Sequence, residues 1–125
     1  MQERKVERDK SGSGEAAIVK VDPLGGITVI CSTNPQGQGH ETVISQIVAD
    51  EFGVHPDQVV VDNELDSSDR LYTITTGSYS SRFASVGTNA VVKAARNCLE
   101  KAKKIAAHLL KIELADVVLE NGKFF

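Results

Sequence analysis

With 125 residues, 41% of them hydrophobic and 25% charged, the chain has the length and balance of one globular domain with a modest core. A net charge of −3, an aromatic content of 5% and the lack of a long Lys/Arg cluster exclude a nucleic-acid surface. No apolar run approaches membrane-spanning length, and no apolar segment near the N-terminus reads as a signal peptide, so no membrane partner and a cytoplasmic location are expected.

Residues 1–14 are charged and then Ser/Gly-rich, without an apolar period, and predict a flexible tail or linker; residues 15–125 form the domain. The run 16–21 predicts a strand. Asp22, Pro23, Leu24, Gly25 and Gly26 supply turn chemistry, and Ile27–Cys31 returns as the second arm of a β-hairpin. Residues 41–52 predict a helix whose face is Ile44, Ile47, Val48 and Phe52, with Glu41 at its positive end and Gly53 as its left-handed stop. A short strand over 58–61 and an acidic loop over 62–70 follow. The loop's alternating carboxylates lack the glycine and the bidentate Glu of a calcium loop. Residues 71–76 have strand composition. Thr88–Leu110 is the longest helix, with Val91, Ala95, Cys98, Ala102, Ile105 and Leu109 as its expected buried stripe and a Lys/Arg face opposite. Residues 116–120 predict a last strand, turning at Asn121 and Gly122 into a return over 123–125.

The order β-β-α-β-α-β predicts an α+β fold, a two-layer α/β sandwich in which two helices lie on one face of a mixed sheet. Cys31 and Cys98 give no disulfide framework and read as small buried hydrophobes of a reducing compartment. His40, His55 and His108 are too scattered for a metal site.

Two loops carry the chemistry. Gln36, Gly37, Gln38, Gly39, His40, Glu41 and Thr42 join a strand to a helix. In such a loop glycines let the backbone approach a ligand, Gln38 offers both a donor and an acceptor, and the helix start favours an anion. The second loop, from Gly77 through Ser80, Ser81, Arg82 and Ser85 to Gly87, gathers hydroxyls and a guanidinium before the second helix. Its plain alternative is a helix cap with Ser85 or Thr88 at the N-cap. If the two helices share a face and a direction, both loops come to one end and make one anion site.

These two motifs, in this order, resemble the large, molybdopterin-binding subunit of the molybdenum hydroxylases: xanthine dehydrogenase, aldehyde oxidase and the molybdenum carbon monoxide dehydrogenase. The resemblance covers roughly residues 15–125. It implies that Gly37, Gln38 and Gly39 reach the pterin near the metal and that Ser80, Ser81, Arg82 and Ser85 wrap its phosphate end. The implied cofactor is molybdopterin, in plain or dinucleotide form. The implied parent oxidises an aldehyde, an N-heterocycle or carbon monoxide with oxygen from water. Its implied partners are the rest of the large subunit and iron–sulfur and FAD subunits or domains, within an oligomer. In the carbon monoxide dehydrogenase branch the second motif reads Gly-Thr-Tyr-Gly-Ser-Arg; here Ser78 and Ser80 replace the Thr and the second Gly. No carboxylate matches the family's general-base glutamate, so no catalytic residue is assigned and the chain is expected to be a fragment inactive on its own. The alternative reading is a small α+β binding or assembly module whose glycine loops are only turns.

Overall fold

The computed structural model describes residues 15–64 and 81–125. The tail to Gly14, the acidic loop beyond Glu64, the stretch 71–76 and the start of the second loop, Ser80 included, lie outside the described residues.

Strands β1 (Ala17–Val21) and β2 (Ile27–Cys31) pair antiparallel with Val19 opposite Val29. Their turn is held by Asp22, whose Oδ1 accepts the N–H groups of Leu24 and Gly26 at 2.7 and 3.0 Å. Helix α1 (His40–Phe52) then carries the chain back, and β3 (Val59–Asp62) pairs parallel to β2 with Val61 opposite Val29. Parallel neighbours need such a crossover. The sheet order is β1-β2-β3, a mixed sheet.

The register puts Ala17, Val19, Ile27, Val29, Cys31, Val59 and Val61 on one face, because side chains alternate along a strand. That face meets α1 through Ile44, Val48, Ala49 and Phe52. It meets α2 (Thr88–Leu110) through Val91, Ala95 and Leu99. The helices also touch each other, so both lie on the same side of the sheet and the two-layer sandwich is present. Ile44, Val29, Val48 and Val91 are the largest side chains shut off from water. Each contributes roughly 1.5–3 kcal/mol of apolar transfer.

Gly53 ends α1 at φ 66°, donating its N–H to Ala49. Residues 56–58 form a 3-10 turn, so the third strand begins at Val59 and not at 58. Near the C-terminus, 114–116 is also a 3-10 turn. The last strands shrink to β4 (Leu119–Glu120) and β5 (Lys123–Phe124), a hairpin separate from the main sheet. Both central residues of its turn are left-handed, Asn121 at φ 50° and Gly122 at φ 72°, as an Asn-Gly hairpin requires. Gly122 packs closely on Val54, at the C-terminal end of α1.

The buried stripe of α2 differs from expectation. Val91, Ala95, Leu99 and Ala106 are buried, Cys98 and Ala102 are half-buried, and Ile105 and Leu109 are exposed. The expected stripe keeps a 3.6-residue period and is centred on the direction of Val91, to which Leu109 returns after about five turns. The buried residues are instead centred roughly 45° further round, toward Leu99, at 100° per residue, which turns Ile105 outward, while Leu109 lies beyond Ala106, the last buried residue of the helix.

Candidate functional site

The first loop follows the carboxyl end of β2. Gly37 and Gly39 have φ of 93° and 76°, the left-handed region where a side chain is strained, and a Cβ at either would meet nothing within 4 Å. Both glycines and Gln38 are exposed. The Gln38 side chain folds back so that its Oε1 accepts the Gln36 N–H. The carboxamide nitrogen is then the donor such a loop offers a ligand oxygen. No side chain caps α1, and Gly39 itself takes the N-cap position.

The second loop enters its helix differently. Ser81 is exposed and left-handed at φ 57°, uncommon for a residue with a side chain. Residues Phe83–Gly87 then form a π-helical turn, with the Thr88 N–H bonded to the Phe83 carbonyl, and this turn runs straight into α2. The helix therefore starts earlier than expected. Neither Ser85 nor Thr88 is its N-cap: the Ser85 hydroxyl donates to the Arg82 carbonyl at 3.3 Å and that of Thr88 to the Ala84 carbonyl at 2.6 Å. Hydroxyls inside a helix commonly bond back to the preceding turn in this way.

A buried seam brings the two loops together. Arg82, 9% exposed, places its Nη1 2.9 Å from the Glu15 carboxylate, whose side chain is 3% exposed. The other Glu15 oxygen accepts the hydroxyls of Ser32 at 2.7 Å and Thr33 at 3.2 Å, the residues that carry β2 into the first loop. Beside this network the His40 ring, first in α1, stacks on Phe83 with centroids 3.7 Å apart and planes 16° from parallel. Further along, Glu51 of α1 takes a two-pronged contact from Arg96 of α2 at 2.9 and 3.0 Å. The helices thus run in the same direction, and the first turns of both lie at one end of the molecule.

Of the residues singled out in the sequence, Gly37, Gln38, Gly39, Ser81, Arg82 and Ser85 lie in these two joined segments; Ser80 is outside the described residues. Arg82 is turned inward, onto Glu15. Glu15, Ser32, Thr33 and Phe83 were not anticipated. The only sequence hints were an acid directly before an apolar run and two hydroxyl residues directly after one.

Electrostatics follow from burial. His40 is 4% exposed, its Nδ1 has no hydrogen-bond partner among the described residues, and burial lowers its pKa below the ordinary 6.5, with the Glu15 charge acting in the other direction. Burial raises the Cys31 and Cys98 thiols above their usual range, which suits inert packing roles. No three His, Cys, Asp or Glu side chains cluster as metal ligands among the described residues, and no helix there is long and apolar enough to cross a membrane.

The sequence profile of the molybdopterin cofactor-binding domain matches residues 3–125. The chain belongs to that family. It is 36% identical over 113 residues to the carbon monoxide dehydrogenase large chain of Hydrogenophaga pseudoflava, covering 90% of this chain and 14% of that protein. To the nicotine 6-hydroxylase large subunit of Paenarthrobacter nicotinovorans it is 33% identical over 108 residues, covering 86% and 13%. Among solved structures, quinoline 2-oxidoreductase from Pseudomonas putida 86 superposes with a TM-score of 0.73 at 37% identity, over 88% of this chain and 14% of that one. The Cu,Mo-CO dehydrogenase superposes with a TM-score of 0.77 at 32% identity, over 90% and 14%. The chain therefore spans about one seventh of the length of these relatives, and corresponds to one stretch of a molybdenum hydroxylase large subunit. Its cofactor is molybdopterin. The residues present suit that group: two left-handed glycines stand with open space where a Cβ would be, and a buried imidazole nitrogen lies beside them without a partner among the described residues.

Proposed function

We propose that this chain supplies part of the molybdopterin cradle of a molybdenum hydroxylase that oxidises an aldehyde, an N-heterocycle or carbon monoxide with oxygen from water. The observation that carries the reading is the meeting of the two loops at one end of the sheet, joined by Arg82–Glu15 and His40–Phe83. Gly37, Gln38 and Gly39 on the first loop and Ser80, Ser81, Arg82 and Ser85 on the second are the groups that hold the cofactor. Gly37 and Gly39 leave the main chain open to it. The two parallel helix starts add their N–H groups and positive ends, which favour phosphate oxygens. When bound, the cofactor supplies a two-electron oxidant, and the residues named here bind and orient it. They move no proton, so the chain by itself is a binding element without turnover. The electrons leave through iron–sulfur and FAD partners of the assembled enzyme.

The test is Gln38→Ala in the assembled enzyme that contains this chain. The change removes the carboxamide donor together with the acceptor of the Gln36 N–H, and leaves the freedom of both glycines intact. Losing a hydrogen bond that leaves a buried partner unpaired costs about 1–3 kcal/mol, or roughly 5- to 150-fold in turnover or in molybdenum retention. Unchanged molybdenum content together with unchanged turnover would reduce the loop to a turn, as in a plain binding or assembly module.

A further inference from the structure

Glu15 stands where three segments cross. Its carboxylate is buried, one oxygen holds the Arg82 guanidinium of the second loop, and the other holds Ser32 and Thr33 at the root of the first. A charge-assisted contact at 2.9 Å holds the Arg82 Nη1 at a set distance from its carboxylate. The Arg82 backbone is set as well, since the π-helical turn begins at the next residue. From this geometry we infer that Glu15 is a positioning residue for the cofactor: it fixes the two walls of the cradle relative to each other and aims Arg82, without touching the ligand itself. This rests on the reading of the loops as a molybdopterin cradle. It adds a residue from the first strand's approach, distant in sequence from both motifs.

The chemistry of the contact makes the role specific. Gln at this position keeps the size and one acceptor for the hydroxyls, but cannot neutralise a buried guanidinium. Asp keeps the charge but is one methylene shorter, so it cannot span both loops at hydrogen-bonding distance. Each variant therefore loosens one wall against the other by a different route.

The experiment compares Glu15→Gln, Glu15→Asp and Val19→Ala in the assembled enzyme. Val19 lies on β1, outside both loops in sequence, and packs against the core, so Val19→Ala reports simple destabilisation. The readouts are melting temperature, molybdenum and pterin content as purified, the rate of molybdopterin release at a temperature well below melting, and the Mo(V) electron paramagnetic resonance signal of the loaded fraction. Glu15→Gln is expected to release the cofactor about tenfold faster than Val19→Ala interpolated to the same melting temperature, which corresponds to about 1.4 kcal/mol, with a shifted resonance signal. Glu15→Asp is expected to lie between Glu15→Gln and wild type, and it carries the same test if Glu15→Gln fails to assemble. Release from the Glu15 variants that merely tracks melting temperature, with an unaltered signal, would overturn the inference and leave the cradle reading standing. A wild-type enzyme without molybdopterin would overturn the cradle reading instead.

Discussion

The two loops solve the same problem in opposite ways. The first is exposed: Gly37, Gln38 and Gly39 lie at the surface, and its special backbone angles are accommodated by omitting side chains. The second, over its described residues 81–87, is built inward: Arg82 is buried, Phe83 stacks on His40, and at Gly87 an added Cβ would lie 2.9 Å from the Phe83 ring. One loop offers accessible main chain, and the other anchors that main chain to the core. Glycine accordingly means different things in the two places. At Gly39 it answers a dihedral requirement; at Gly87, where φ is −63°, it answers a packing one.

The sharpest test of that contrast is Gly87→Ala against Gly39→Ala. At Gly87 the helical backbone suits alanine, so the cost is overpacking against Phe83, about 1–3 kcal/mol. At Gly39 the methyl has room, and the cost is a left-handed alanine, about 1–2 kcal/mol. Urea midpoints should put Gly87→Ala lower. Gly39→Asn should recover part of the loss at the first loop, because Asn tolerates that region better, whereas Gly87→Asn should be worse than Gly87→Ala. The reverse ranking would mean that the surface loop, and not the seam, is the rigid part.

A smaller effect concerns pH. Burial lowers the folded-state pKa of His40, so the folded protein binds fewer protons there than the unfolded chain does. The stability from neutral His40 is complete above about pH 6.5 and is lost as pH falls from there through the lower folded value. Urea midpoints measured between pH 7.5 and 5 should decline more steeply in wild type than in His40→Phe, which keeps the stack and does not titrate. Parallel profiles would show that His40 takes up its proton without cost to the fold.

Much of the scaffold could be read from local pattern. Ile27–Cys31 and α1 follow from β-branched composition and from spacing on one helical face, and Gly53, Asn121 and Gly122 announce their turns. The α2 stripe differs because the face of the helix turned to the sheet is set by packing against β1 and α1, which periodicity alone does not fix to within one residue. That places Leu99 and Ala106 inside and Ile105 outside. Of the candidate site, the left-handed turns at Gly37 and Gly39 were legible, because a glycine's backbone freedom is a local property. The seam was not. Nothing near Glu15 in sequence signals a partner as distant as Arg82, and Ser32 and Thr33 resemble any polar end of a strand. The π-helical turn was equally hidden, since Phe83–Gly87 has no composition that separates it from an ordinary first turn.

The Glu15–Arg82 contact also has a consequence in time. Bringing Val59 beside Ile27, or Val29 beside Val19, closes a short stretch of chain, while bringing Arg82 to Glu15 closes a far longer one. The entropy lost on closure grows with the length closed, and distant contacts are the slow ones to form. The hairpin, α1 and β3 can therefore acquire their hydrogen bonds before α2 is in place. Pulse-labelling by hydrogen exchange during refolding should protect Val29 and Val48 ahead of Ala95. The wall carrying the first loop would then exist before its counterpart, leaving an interval in which a bulky cofactor could be laid against it from the open side.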